Sequence, residues 1–324
     1  MGLIVGAYAA SPAHAVWDPA LEGEFFAGLG GLSGIRGLEL PWLGSVHPHD
    51  DAWLLDNVPR RFENVITDIG ATVKALSHDR GFGLASTDAD GRSAAIAMAR
   101  RLCDDVRRIM DGVGPASVLA VELHSAPLAH SGSADALAAS LAEVASWDWA
   151  GTALVVEHCD AEVAGRLPEK GYLSLEAELR AIRLSGVDIG MSLNWGRSVI
   201  ELRDAQRVVE HIDAAVDAGV LRGLIFSGAA ATACAFGPAW IDAHLPPAPT
   251  VYFPSGERAS LLTFDHVREG IGRAGSIDWL GFKFGVRPES AGVEERIAMV
   301  ANAVRGIGSP ADRPSSQAHP LIVP

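Results

Sequence analysis

The chain has 324 residues, 48% of them hydrophobic and 20% charged, enough apolar mass for one large core and outside the range of a disordered chain. A formal net charge of −14, from 26 Lys and Arg against 40 Asp and Glu, argues against a nucleic-acid partner, because phosphate neutralisation needs a basic face. Cys103, Cys159 and Cys234 are too few and too scattered for a disulfide framework or a zinc-finger pattern, which points to a reducing cytoplasm. No stretch reaches the roughly 18 apolar residues of a membrane span, so no membrane partner is expected.

In chain order, short apolar runs at 3–7, 37–40, 64–67, 118–123, 153–157, 189–193, 223–226 and 279–284 read as strands. The opening MGLIVGAYAASPAHA lacks a basic flank and is read as the first strand rather than a signal peptide. Helical spacing falls at 92–111, 134–146, 174–185, 204–218 and 294–305, with Ser174, Asp135 and Asp204 as expected N-terminal caps. Alternation of strand and helix eight times over predicts a single-domain (β/α)₈ barrel spanning 1–308. The stretches 46–61 and 78–84 read as long loops over the site, and 246–258 as a lid or an interface. The last residues, 309–324, read as an extended Pro-rich tail, and the Pro-rich segments leave room for a homodimer.

Side chains alternate inward and outward along a barrel strand, so a polar residue near the C-terminal end of a strand is a candidate for the barrel mouth. VELHSAP puts Glu122 and His124 in phase, opposite Val121 and Leu123; LVVEHCDA puts Glu157 in phase with Val155, with His158 one step beyond. LNWGRS puts Asn194 in phase with Ser192, followed by Trp195 and Arg197, and GFKFG aligns Lys283 with Gly281 and Gly285. The second strand offers Glu39. A plainer reading stands beside each: Glu39 or Glu122 as an ion-pair partner for Lys283 or Arg36, His124 as a core histidine, Cys159 as a packed side chain. His14, His47 and His49 read as solvated, and the HPHD run at 47–50 is too short to argue a metal site. Trp42 and Trp195 follow strand ends, where an aromatic face stacks on a sugar ring. Several strands contributing polar groups to one rim is more than packing requires.

The segments LIVGAYAASP, VELHSAP, LVVEHCDA with EKGYLSLE after it, LNWGRSVIE and IFSGAA resemble the domain-of-unknown-function family 4862, grouped with the xylose-isomerase-like TIM barrels, from about Leu3 to about Val304. That resemblance implies carbohydrate chemistry of the isomerase or epimerase kind, with a divalent metal held in relatives by Glu, Asp, His and Glu on strands five to eight. Carried over to this chain, Glu157 matches the first ligand, while Asn194, the Ser227 region and Lys283 fall at the other three. An ammonium and two neutral side chains are a poor shell for a hard dication, so no cofactor is expected at that place. A divalent metal on a remodelled set of His124, Glu157 and His158 is left open.

The expected partner is a carbohydrate or sugar acid, bound through Glu39, His158, Asn194, Trp195, Arg197 and Ser227. The favoured enzymatic reading uses Glu157 or Glu122 to move a proton, with His124 beside them, while Lys283 stabilises an oxyanion. Three alternatives stay open. Lys283 with a lowered pKa would serve a Schiff-base aldolase, two rim carboxylates would serve a glycoside hydrolase, and a barrel without turnover would bind sugar with Arg197 and Lys283 as clamps.

Overall fold

The computed structural model describes residues 2–13 and 16–308; His14 and the 309–324 tail lie outside them. Eight parallel strands close into a barrel in sequence order: β1 (Leu3–Val5), β2 (Ile35–Pro41), β3 (Asn64–Thr67), β4 (Val118–Leu123), β5 (Ala153–His158), β6 (Gly190–Asn194), β7 (Leu221–Phe226) and β8 (Trp279–Phe282). The helices are α1 (Ala7–Ala10), α2 (Pro19–Gly31), α3 (Asp51–Asn57), α4 (Ile69–His78), α5 (Ala89–Val113), α6 (Ala134–Ala145), α7 (Leu175–Ser185), α8 (Trp195–Leu202), α9 (Val208–Asp217), α10 (Phe264–Ala274) and α11 (Val293–Gly308). No helix among the described residues is long and apolar enough to cross a membrane.

Strand alternation divides the core in two. Outward residues such as Leu38, Leu40, Val121, Leu123, Val156, Leu193, Leu224 and Phe282 join one cluster with the helices, whereas Ile4, Val65, Ala120, Val155 and Trp279 form a separate cluster inside the barrel floor. The floor is filled by the Trp279 ring. A Cβ at Gly223, on the neighbouring strand, would come within 2.1 Å of that ring, so the glycine makes room for it. Above this apolar layer most inward positions, Glu39, Thr67, Glu122, Glu157, Ser192 and Asn194 among them, turn polar, which sets the site at the C-terminal end of the barrel.

Several expectations change. The first strand ends at Val5, because the chain turns into α1 and carries Tyr8 over the barrel mouth. The 46–61 stretch holds α3, whose first turn is capped by Asp50 accepting from the Trp53 amide. The third βα unit has two helices, α4 and α5, rather than one helix and a loop. Ser133, not Asp135, caps α6, while Asp204 caps a short 3₁₀ turn that precedes α9. Segment 246–258 is irregular and anchored by wholly buried Phe253 against Phe264 and Phe284.

Candidate active site

Lys283 lies one residue past β8, its amide bonded to the Phe226 carbonyl at 3.0 Å, and its side chain runs into the barrel. It fits because Gly6 has no side chain: a Cβ there would sit 2.6 Å from Lys283 Cγ and 2.7 Å from its Cβ. The ammonium meets Glu39 Oε1 at 2.6 Å, and the ring of Tyr8 lies 5.6 Å above it. Burial works against the charged amine, but Glu39, Tyr8 and Glu157 outweigh it and hold its pKa well above that of an ordinary lysine. That overturns the lowered pKa on which a Schiff-base role depends, since a nucleophilic amine must be neutral.

Glu157 is the hub of the other half. Its Oε2 lies 2.9 Å from His124 Nε2, and its Oε1 makes a 2.7 Å ion pair with Arg197 Nη1 that lacks hydrogen-bond alignment. Nδ1 of His124 is held by Asp68 at 2.5 Å. Burial opposes ionisation of Glu157, yet Arg197, Lys283 and His124 overcome it and keep its pKa well below the usual range. For His124, burial is outweighed by Cys159, Asp68 and Glu157, so the ring is held well above the usual histidine range. Glu122 is the contrast: burial first, then Glu157 and Glu39, push it well above the carboxylate range, with Ser192 donating to Oε1 at 2.9 Å. Glu39 Oε2, Glu122 Oε2 and Asn194 Nδ2 are buried without a hydrogen-bond partner.

Arg197 joins this centre to the mouth. Asn194 closes β6 and caps α8 through its side chain, and Arg197 three residues later lies on the same side, so a helical turn continues what strand parity began. Its Nε binds Asp242 at 3.0 Å, and Asp242 contacts His244 at 3.1 Å and Lys170 at 3.5 Å. Burial would raise the Asp242 carboxyl, but His244, Arg197 and Lys170 take it well below its usual range. Lys170 is positioned by Asp160, which accepts from the Glu169 and Lys170 amides at 2.7 and 3.0 Å; this explains the EKGY segment. Ser227 contacts His244 Nδ1 at 3.1 Å. Tyr8, Asp242 and His244 line a cleft of about 420 Å³, and Tyr8 also borders an aromatic cleft of about 310 Å³ lined by Trp17, Phe26, His47 and His49. Tyr8, Asp68, Lys170, Asp242 and His244 were not singled out from the sequence, because no strand parity applies to the loops and short helix that carry them.

The structure brings Glu39, Glu122, His124, Glu157, Asn194, Arg197, Ser227 and Lys283 to one end of the barrel. His158 and Trp195 go elsewhere. Being one residue on from inward Glu157, His158 faces the helices, with Nδ1 2.6 Å from Glu178 and Nε2 3.0 Å from Glu201, so it does not converge with His124 and Glu157 on one cation. Trp195 packs against His266 of α10 at 5.3 Å, and Trp42 donates its indole N–H to Asp105 of α5 at 2.8 Å; neither ring faces the mouth. His47 and His49 pack on Trp17. His158, Glu201 and His211 place ligand-type atoms within 4.8 Å of one another, a compact set capable of coordinating a metal outside the barrel.

At the barrel centre the cations and carboxylates are already paired with one another. The strand-five carboxylate is paired with a guanidinium and a histidine, and the strand-eight position supplies an ammonium bound to Glu39. A cation there would face two fixed positive charges.

A family model described as Domain of unknown function (DUF4862) matches residues 4–299. An uncharacterized protein of Salmonella typhimurium is 38% identical over 309 residues, covering 94% of this chain and 96% of that protein. Among solved structures, a xylose isomerase domain containing protein from the same organism aligns with a TM-score of 0.60 at 12% identity, over 95% of this chain and 97% of that one. The IOLI protein with a binding zinc atom gives 0.58 at 10% identity, over 95% and 98%. A D-allulose 3-epimerase from Methylomonas sp. gives 0.57 at 14%, over 95% and 97%. At these identities the likeness establishes the xylose-isomerase-like barrel fold.

Proposed function

The chain belongs to the DUF4862 family, and we propose that it is a sugar or sugar-acid isomerase or epimerase whose barrel centre moves protons without a metal. One observation carries this reading: on neighbouring strands, Glu157 is held between the Arg197 guanidinium and His124, which favour its ionised form, whereas Glu122 meets only the Ser192 hydroxyl in a buried setting that favours its neutral form. Two carboxyls so separated supply an acid and a base at one pH. In this mechanism ionised Glu157 takes the proton from the carbon next to a carbonyl. The electron pair moves onto the carbonyl oxygen, and the Lys283 ammonium stabilises the enediolate. Neutral Glu122 returns a proton to carbon, and the two carboxyls exchange their proton through the bound intermediate or solvent before the next turnover. His124, fixed by Asp68, holds Glu157 in place.

Substrate would enter from the cleft at Tyr8, Asp242 and His244, with Arg197 buried behind Asp242. The likeness to a D-allulose 3-epimerase and to a xylose isomerase domain supports carbohydrate as the substrate class. The test is a panel of aldoses, ketoses and sugar acids incubated with wild type, Glu157→Gln and the Glu39→Gln/Lys283→Met pair, with products separated by chromatography. Conversion by wild type that falls at least about 100-fold in both variants supports the assignment, as expected for loss of a base or an oxyanion donor. Equal conversion by all three, or none by wild type over the whole panel, refutes it.

A further inference from the structure

We infer that His158, Glu201 and His211 form a zinc site on the outer side of the barrel, apart from the proton-transfer centre. Strand parity sends His158 of β5 outward, where Glu201 of α8 and His211 of α9 close over it. His158 Nε2 lies 3.0 Å from Glu201 Oε2, and His211 Nε2 lies 3.6 Å from Glu201 Oε1. These contacts reach different oxygens of the one carboxylate, and one ligand atom from each residue falls within 4.8 Å of the others, so a small rotation of the Glu201 carboxylate and the rings brings them to the edge of about 3.3 Å of a zinc tetrahedron with bonds of about 2.0–2.1 Å.

The outer contacts are those that a metal-bound imidazole requires. Nδ1 of His158 is 2.6 Å from Glu178, which also accepts from the Ser125 hydroxyl, and Nδ1 of His211 is 3.1 Å from the Ser198 oxygen. When each Nδ1 donates outward, both Nε2 lone pairs are left free for a metal. The Ala161 amide, 2.8 Å from Glu201 Oε2, fixes the carboxylate. Glu178 and Glu201 together balance a dication. Two imidazoles and one carboxylate suit Zn²⁺, whereas Mg²⁺ or Ca²⁺ would need an oxygen cage. Glu201 and His211 also line a groove of about 830 Å³ between α7 and α9, through which water can reach a fourth position. A structural proton bridge would join His158 to Glu178 and Glu201 without using His211 Nε2, and this difference makes the two accounts separable.

The full-length chain is dialysed against Zn²⁺ and, in parallel, titrated with Co²⁺ as a spectroscopic probe. One tightly held zinc per chain is expected, with a Co²⁺ spectrum of four-coordinate nitrogen and oxygen ligation. Zinc affinity should fall more than about 100-fold in His211→Gln and Glu201→Gln, and stay unchanged in His47→Gln/His49→Gln, which alters histidines of the loop after β2. Absence of stoichiometric zinc in wild type, or unchanged affinity in folded His211→Gln, overturns the proposal. Should either variant fail to fold, the wild-type Co²⁺ spectrum decides: a six-coordinate or thiolate-bearing spectrum also overturns it.

Discussion

The Nζ atom of Lys283 lies 2.6 Å from Oε1 of Glu39, tying the residue after the last strand to the second strand, on the other side of β1, with both side chains wholly buried. Removing one partner of such a pair leaves the other charge without water or a counterion, at a cost of about 3–5 kcal/mol. Lys283→Met is therefore expected to lose stability on that scale in chemical denaturation, while Glu39→Gln/Lys283→Met loses less than the sum of its single substitutions. Additive losses would show that the pair is not coupled.

Gly6 is the second point of leverage on Lys283. A methyl group there meets the root of the lysine side chain, which cannot swing aside as its tip can. Gly6→Ala should cost about 1–3 kcal/mol of stability and lower turnover, although no polar group is removed. Wild-type turnover in this variant would mean that the position of Lys283 does not matter.

Asp242 fastens Arg197 at the mouth by a 3.0 Å ion pair. Asp242→Asn keeps the shape and removes the charge, freeing the guanidinium that meets Glu157 on its other side. Misplacing a substrate-orienting group by about 1 Å costs about 100-fold in rate. The expected result is a loss of that order in kcat/KM; an unchanged value would exclude Arg197 from substrate orientation.

His47 offers a pH prediction away from the centre. Its Nδ1 accepts the backbone amides of His49 and Asp50 at 3.3 and 3.1 Å, contacts that protonation would break. Burial, then His49, lowers its pKa from 6.5 to about 4. Because the unfolded chain takes up this proton more readily, the contribution is complete above pH 6.5 and declines as pH falls towards about 4. Stability curves of wild type and His47→Gln should therefore converge over that interval. Parallel curves would show that the ring is free to protonate in the fold.

The barrel and most of its polar centre were legible in the sequence because period-two alternation distinguishes inside from outside: Glu39, Glu122, Glu157 and Ser192 follow from their apolar neighbours. The plain expectation of a Glu39–Lys283 ion pair also holds. Parity argues against His158, which immediately follows Glu157, as a member of the same site. It is silent beyond the strand ends, where Trp195 turns outward and Arg197 inward within one helical turn. Tyr8, Asp68, Asp242 and His244 reach the site from a short helix and from loops, through contacts between residues far apart in the chain, such as Tyr8 with Lys283 and Asp68 with His124. No local pattern encodes such pairings.

Proton transfer at the barrel centre without a metal is read out by deuterium exchange in D₂O after chelator treatment, using the sugar that gives most product. The prediction is that the chelated, folded protein incorporates deuterium at the carbon beside the carbonyl, and that Glu157→Gln does not. Exchange that vanishes on chelation while the protein stays folded, and returns with Mn²⁺ or Mg²⁺, would contradict it.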